Sequence, residues 1–184
     1  MAGLICLAKF DIFALDALGG TMGLCPLPGL GGQWADDAAR IDEWDPDRIL
    51  TLCTTPEMAE LVAPDLPSRM EGLVAKWHHF PIEDFGIPDP VQFGGWVDLS
   101  ADVRGVLNKG GRVLIHCRGG CGRSGMAALR LMVDGDEDPT QALGQLRQAR
   151  PCAVETDAQM MWATDGATVR SGGPKPAPRS PRQT

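Results

Sequence analysis

The chain reads as short apolar runs alternating with helical repeats, divided by Gly- and Pro-rich breaks. Two apolar, β-compatible runs, Leu4–Leu15 and Thr21–Cys25, flank Gly19-Gly20 and predict a hairpin. Pro26, Pro28, Gly29, Gly31 and Gly32 predict a loop. Trp34–Trp44 mixes polar and apolar residues at helical spacing and stops before Pro46, and Arg48–Cys53 is a strand. Thr54-Thr55-Pro56-Glu57 opens a helix with Pro at its first position. Ser68–Lys76 predicts a second short helix, Trp77–Ile82 a strand, Glu83–Pro90 a loop, and Val91–Leu107 a helix weakened at Gly94-Gly95. The Gly110-Gly111 turn leads into the apolar run from Val113, a buried strand. A glycine-rich loop follows, then a helix over Met126–Val133.

Beyond that helix, Asp134–Asp138 predicts a turn and Pro139–Ala149 a helix ended by Pro151. Thr156-Asp157-Ala158-Gln159 is a capping-box pattern that starts a last helix, running to about Arg170. Ser171–Thr184, rich in Gly, Pro, Ser and basic residues, is expected to be a disordered tail. Strands alternating with helices imply an α/β domain over residues 1–170, with a central, mostly parallel mixed sheet flanked by helices. Its site is expected at the carboxyl ends of the strands.

Composition narrows the function classes. With 184 residues, 43% of them hydrophobic, the chain can bury the core of one domain. The net charge is −7, and Lys175, Arg179 and Arg182 in the tail leave the rest more acidic still. Such a surface is a poor partner for nucleic acid or an anionic membrane. No run of about 18 apolar residues predicts a membrane span, and Lys9, Asp11 and Asp16 interrupt the apolar N-terminus, so no secretory leader is expected. The six cysteines (Cys6, Cys25, Cys53, Cys117, Cys121, Cys152) show neither a regular disulfide framework nor paired metal spacing; no metal or cofactor is expected, and a reducing cytoplasm fits best.

The chemistry concentrates in His116-Cys117-Arg118-Gly119-Gly120-Cys121-Gly122-Arg123-Ser124-Gly125. Strand, glycine loop and helix are the layout in which loop amides and a helix N-terminus converge on an anion. Cys117 there sits in positive potential, which favours a thiolate nucleophile. The planar fork of Arg123 suits two phosphoryl oxygens.

His-Cys-x5-Arg-Ser resembles the signature of the protein tyrosine and dual-specificity phosphatases. Further similarity lies in Gly23–Gly29, Cys53-Thr54 with Glu57-Met58, His78–Asp84, Pro88-Asp89 and Ala153–Thr156. These stretches resemble the kinase-associated phosphatase (cyclin-dependent kinase inhibitor 3) group and its bacterial relatives, over about residues 20–165. The resemblance implies a mixed sheet flanked by helices and hydrolysis of phosphoproteins through a phosphocysteine. It implies that His116 orients the loop and tunes the thiolate, that Ser124 stabilises the sulfur as leaving group, and that Arg118 points toward substrate, with the loop from Arg118 to Arg123, including Gly119, Gly120, Cys121 and Gly122, cradling phosphate. It also implies a general acid on the preceding loop, with Asp84 first, then Asp89 and Glu83, and a role for Gln159 in positioning water. Cys121 departs from the family's usual residue; a compact apolar filler is the first reading, with disulfide partners in Cys117 or Cys152 as alternatives. The chain has no Tyr, so no Tyr can stack on a substrate ring, which favours a shallower, dual-specificity pocket.

Three other readings compete. A phosphatase for small or lipid phosphates is disfavoured because the loop carries Arg118 but no Lys. A catalytically dead phosphopeptide-binding module would be expected to have lost the Cys, Arg or Asp. A rhodanese-type sulfurtransferase usually spaces its loop with four residues before the Arg.

Overall fold

A computed structural model describes residues 10–73 and 75–171. The first apolar run before Phe10 and the tail beyond Ser171 lie outside the described residues. Five strands form one sheet: β1 (Phe13–Ala17), β2 (Gly20–Cys25), β3 (Arg48–Thr51), β4 (Lys76–His79) and β5 (Arg112–His116), in the order β1-β2-β5-β3-β4. The β1–β2 hairpin is antiparallel; β2, β5, β3 and β4 run parallel. The helices are α1 (Trp34–Trp44), α2 (Thr55–Leu61), α3 (Leu66–Glu71), α4 (Phe93–Leu107), α5 (Gly122–Asp134), α6 (Pro139–Ala149) and α7 (Asp157–Ser171). The α/β class and the mostly parallel sheet expected from the sequence are what the chain forms.

β5 is the central strand because Val113, Leu114 and Ile115 are apolar on both faces, which suits a strand covered on each side. Ile49 and Leu50 on β3 and Met22 and Leu24 on β2 continue the same fully buried layer. Truncating one of these to Ala costs about 2–5 kcal/mol, a large share of the roughly 5–15 kcal/mol that holds a domain together. The register sets His116, the last residue of β5, beside Cys25 of β2 and Thr51 of β3. The carboxyl ends of three neighbouring strands therefore meet at one point, and Cys117 leaves from the middle of them.

α5 begins directly behind that point, and every one of its residues is buried. Its far end is anchored. Asp134 accepts hydrogen bonds from Trp96 Nε1 at 3.0 Å, Ser100 Oγ at 2.9 Å and Arg130 Nε at 2.9 Å. Arg130 also donates to the Trp162 carbonyl at 2.7 Å, which ties α5 to α7. A buried carboxylate with three donors is compensated rather than stranded.

Several boundaries differ from the sequence reading. The second short helix is Leu66–Glu71 rather than Ser68–Lys76: Pro67 lies in its first turn, Gly72 ends it, and Lys76 N–H bonds the Asp47 carbonyl to start β4. Asp89 caps a short 3-10 turn at Pro90–Gln92 before α4, so that helix starts at Phe93 rather than Val91. Gly94-Gly95 causes no break, because buried Trp96, Leu99, Val103 and Leu107 hold the helix. Pro56 is the second helical residue of α2, not the first, since Thr54 is the cap. α5 takes in Gly122–Gly125, so the Arg and Ser of the signature lie in its first turn rather than in the loop.

Candidate active site

Cys117 follows His116 off β5, and the loop to Cys121 curls over the N-terminus of α5. Glycine is required at two points of this turn. Gly120 has φ +67°, and a Cβ there would lie 2.5 Å from the Cys25 carbonyl carbon. A Cβ on Gly125 would lie 2.7 Å from the Val154 backbone nitrogen, so only glycine lets α5 start against the α6–α7 connector.

Cys117 is 3% exposed, and its sulfur sits 3.4 Å from Ser124 Oγ. It faces the start of α5, where unpaired amides carry partial positive charge. The other two free cysteines among the described residues, Cys25 and Cys53, are pushed up by burial and then by neighbouring negative groups, so both stay neutral thiols.

His116 is wholly buried. Its Nε2 lies 2.6 Å from Thr51 Oγ1, which in turn accepts a bond from Trp77 Nε1 at 2.7 Å. Burial, then the positive surroundings of His79 and Arg123, hold the imidazole down to about 3. It is a neutral ring, fixed to the neighbouring strand by hydrogen bonding.

Arg123 is the electrostatic hub. One guanidinium edge is bidentate to Glu57, with Nη1 and Nη2 each 2.7 Å from a carboxylate oxygen. Nη1 also donates to the Ile82 carbonyl at 2.9 Å, and Nη2 lies 3.0 Å from Asp84 Oδ1. Three of the group's five hydrogens are thereby bonded, and Asp84 is held beside Nη2 as an ion pair. Nε is buried and has no partner among the described residues. Burial alone would raise Glu57's pKa, but Arg123, with help from Thr54 N–H, more than offsets it and holds the carboxyl below the ordinary range.

Of the three acidic candidates, Asp84 reaches the loop, paired with Arg123 and lying 3.9 Å from Arg118 Nη1. Asp89 is occupied as a helix cap, accepting from Val91 N–H at 2.8 Å. Glu83 is exposed, and its carbonyl accepts from Gly86 N–H. Arg118 is exposed at the rim. Gln159 is fully buried: Oε1 accepts from Glu155 N–H at 3.0 Å and Nε2 donates one of its two hydrogens to the Gly86 carbonyl at 3.3 Å. These bonds set Gln159 against the Asp84 loop.

Cys121 requires a correction. It is not a free apolar filler; it is joined by a disulfide to Cys152 on the connector between α6 and α7. Ring strain disfavours the Cys117 pairing, and the connector brings Cys152 alongside instead. The sequence reading missed Glu57 as the partner of Arg123. Thr54-Thr55-Pro56-Glu57 reads in the sequence only as a helix start; in the structure Thr54 and Glu57 form a capping box while Glu57 also pairs with Arg123. No group of three or more His, Cys, Asp or Glu that could hold a metal occurs among the described residues.

Residues 15–143 match the family model for cyclin-dependent kinase inhibitor 3. The chain belongs to that family. It is 30% identical to cyclin-dependent kinase inhibitor 3 of Mus musculus over 145 residues, covering 75% of this chain and 67% of the relative. The Homo sapiens protein is also 30% identical, over 146 residues, covering 75% and 68%. Among solved structures, kinase-associated phosphatase with its catalytic-site cysteine changed to serine superposes at TM-score 0.77 and 24% identity, covering 89% of this chain and 97% of that one. The active form of Tk-PTP superposes at TM-score 0.64 and 26% identity, covering 84% and 96%. With its family, fold and Cys-x5-Arg loop together, this protein is a cysteine-dependent protein phosphatase.

Proposed function

We propose that the site hydrolyses phosphomonoesters on proteins in two steps, with Cys117 as nucleophile and Asp84 as acid and then base. The Cys117 sulfur attacks phosphorus; the S–P bond forms as the bond to the ester oxygen breaks, and Asp84 gives that oxygen its proton. Water then attacks the phosphocysteine, Asp84 takes a proton from it, and inorganic phosphate leaves as Ser124 donates to the departing sulfur. Arg123 and the loop amides from Gly119 to Arg123 hold the equatorial oxygens, where charge redistributes. His116 is neutral and shuttles no proton; it fixes the strand end from which Cys117 emerges.

The observation that carries this reading is the Arg123 guanidinium, bidentate to Glu57 and paired with Asp84, with its buried Nε–H unpartnered among the described residues. A clamp and an acid that share one cation are placed to act on one ligand. The name of the relatives makes phosphorylated protein kinases the first protein substrates to try. Cytoplasm is the compartment proposed, since a free nucleophilic thiol needs a reducing medium.

The test is hydrolysis of an aryl phosphate and of phosphotyrosine and phosphothreonine peptides, with reductant and no added metal. Turnover that vanishes in Cys117→Ser supports the scheme. Equal turnover in wild type and Cys117→Ser would remove it.

A further inference from the structure

Three consecutive carbonyls of the phosphate loop face away from the site, and each has a donor. Leu27 N–H bonds the Arg118 carbonyl at 3.1 Å. Arg150 Nη2 bonds the Gly119 carbonyl at 2.9 Å, and Arg150 Nε bonds the Gly120 carbonyl at 3.1 Å. No peptide among the described residues is cis. In a trans peptide the carbonyl of one residue and the N–H of the next point in opposite directions. Holding these carbonyls outward therefore turns the N–H groups of Gly119, Gly120 and Cys121 inward.

One side chain from outside the loop does most of this. Arg150 caps the C-terminus of α6, and its guanidinium is seated over the Phe13 ring at 4.0 Å, so its approach is fixed. Two residues on, Cys152 is bonded to Cys121. Arg147 adds bonds to the Ala153 and Val154 carbonyls at 3.1 and 3.2 Å, which holds the connector itself. The clamped segment needs such help. Gly119 and Gly120 have no side chains to restrict the peptide planes, and a Cβ built on Gly119 meets nothing within 4 Å. A flip of either plane would replace an inward N–H with a carbonyl oxygen, turning an attraction for a phosphoryl dianion into a repulsion.

We propose that Arg150 is a positioning residue for the phosphate loop: it sets the two glycine peptides with their amides inward, and the Cys121–Cys152 bond holds the connector that carries it. This rests on the loop being the phosphate cradle. It assigns Arg150 no contact with substrate.

The test uses the full chain and reads oxyanion binding first, then turnover. Tungstate and inorganic phosphate are titrated by calorimetry into Cys117→Ser and into the same protein carrying Arg150→Ala, Arg150→Lys or Cys152→Ser. Arg150→Ala is expected to weaken oxyanion binding about tenfold or more, in line with the loss of preorganised donors. Arg150→Lys, which can donate to one carbonyl at a time, should fall between. Millimolar guanidinium ion should restore part of the lost affinity in Arg150→Ala but not in the parent. Cys152→Ser should shift binding in the same direction by less. In the Cys117-intact background, Arg150→Ala should raise KM for aryl phosphate as well as lower kcat. Unchanged tungstate affinity in Arg150→Ala overturns the positioning role. So does a loss that follows the melting temperature and is equal in the Lys variant and unmoved by guanidinium. If the Cys117→Ser parent binds neither oxyanion, the cradle reading itself fails, and this proposal with it.

Discussion

The phosphate loop and the acid loop are built on opposite plans. From His116 to Gly125 the chain is mostly buried, its carbonyls are held from outside, and it is continuous with the central strand and a fully buried helix. From Glu83 to Asp89 the chain lies at the surface, with Phe85 60% and Ile87 43% exposed. That loop is tied by a few polar contacts: Gln92 to the Pro81 carbonyl, Gln159 to the Gly86 carbonyl, and Asp84 to Arg123. Charge must be held in fixed geometry, so its donors belong on the rigid frame. A proton must pass to a leaving oxygen and come back from water, so its carrier belongs where water and substrate can reach it.

The strongest way to break this comparison is Cys117→Ser, which should lower kcat by at least about 10³-fold while tungstate still binds. Loss of both would mean that the frame depends on the sulfur. Asp84→Asn comes next: about 10²-fold slower on phosphothreonine peptides, and much less on nitrophenyl phosphate, whose leaving group needs little protonation. Asp89→Asn and Glu83→Gln should stay within about threefold of wild type; if Asp89→Asn instead shows the leaving-group dependence, the acid is Asp89. Glu57→Gln removes charge from the rigid side and should cost about tenfold in kcat/KM, chiefly through KM, because the guanidinium loses its bidentate seat.

The smallest effect is on stability against pH. His116 is held at about 3 in the folded protein against 6.5 ordinarily, so the unfolded chain binds the extra proton between those values. Its contribution to stability is complete above about pH 6.5 and is lost as the pH falls toward 3. Glu57 is depressed, so its contribution is present above its ordinary value of 4.5 and declines below it. Melting temperature should therefore begin to fall below about pH 6.5 and steepen below about pH 4.5. His116→Gln should flatten the upper part alone; a curve identical to wild type would show that His116 is not buried neutral.

Legibility in the sequence followed the range of the interactions. The strand, glycine loop and helix around Cys117 were readable because local chemistry sets them: apolar run, glycines, then an amphipathic start. The hairpin and α1 were readable for the same reason. Glu57 and Arg150 were not, because each acts across the fold on a residue far away in the chain. Glu57 reads only as part of a helix start, and Arg150 falls between a helix end at Ala149 and Pro151. The Cys121–Cys152 bond was visible only as one option, since spacing says nothing of where the connector returns. The boundary errors at α3 and α4 arose where sheet pairing at Lys76 and a side-chain cap at Asp89 overrode local helical pattern.

In the proposed mechanism, the arrangement around Arg123 sets the order of events. With three hydrogens bonded to Glu57 and Ile82 and Nη2 also paired with Asp84, a two-point grip on an arriving phosphoryl group requires one of these contacts to be surrendered. The Glu57 carboxylate is 15% exposed and held by both oxygens; that of Asp84 is 40% exposed and held by one. Asp84 is therefore the contact given up. In the proposed mechanism the ligand that takes its place on the guanidinium is the same ligand whose leaving oxygen Asp84 would then protonate, so occupancy of the clamp and release of the acid would be a single exchange.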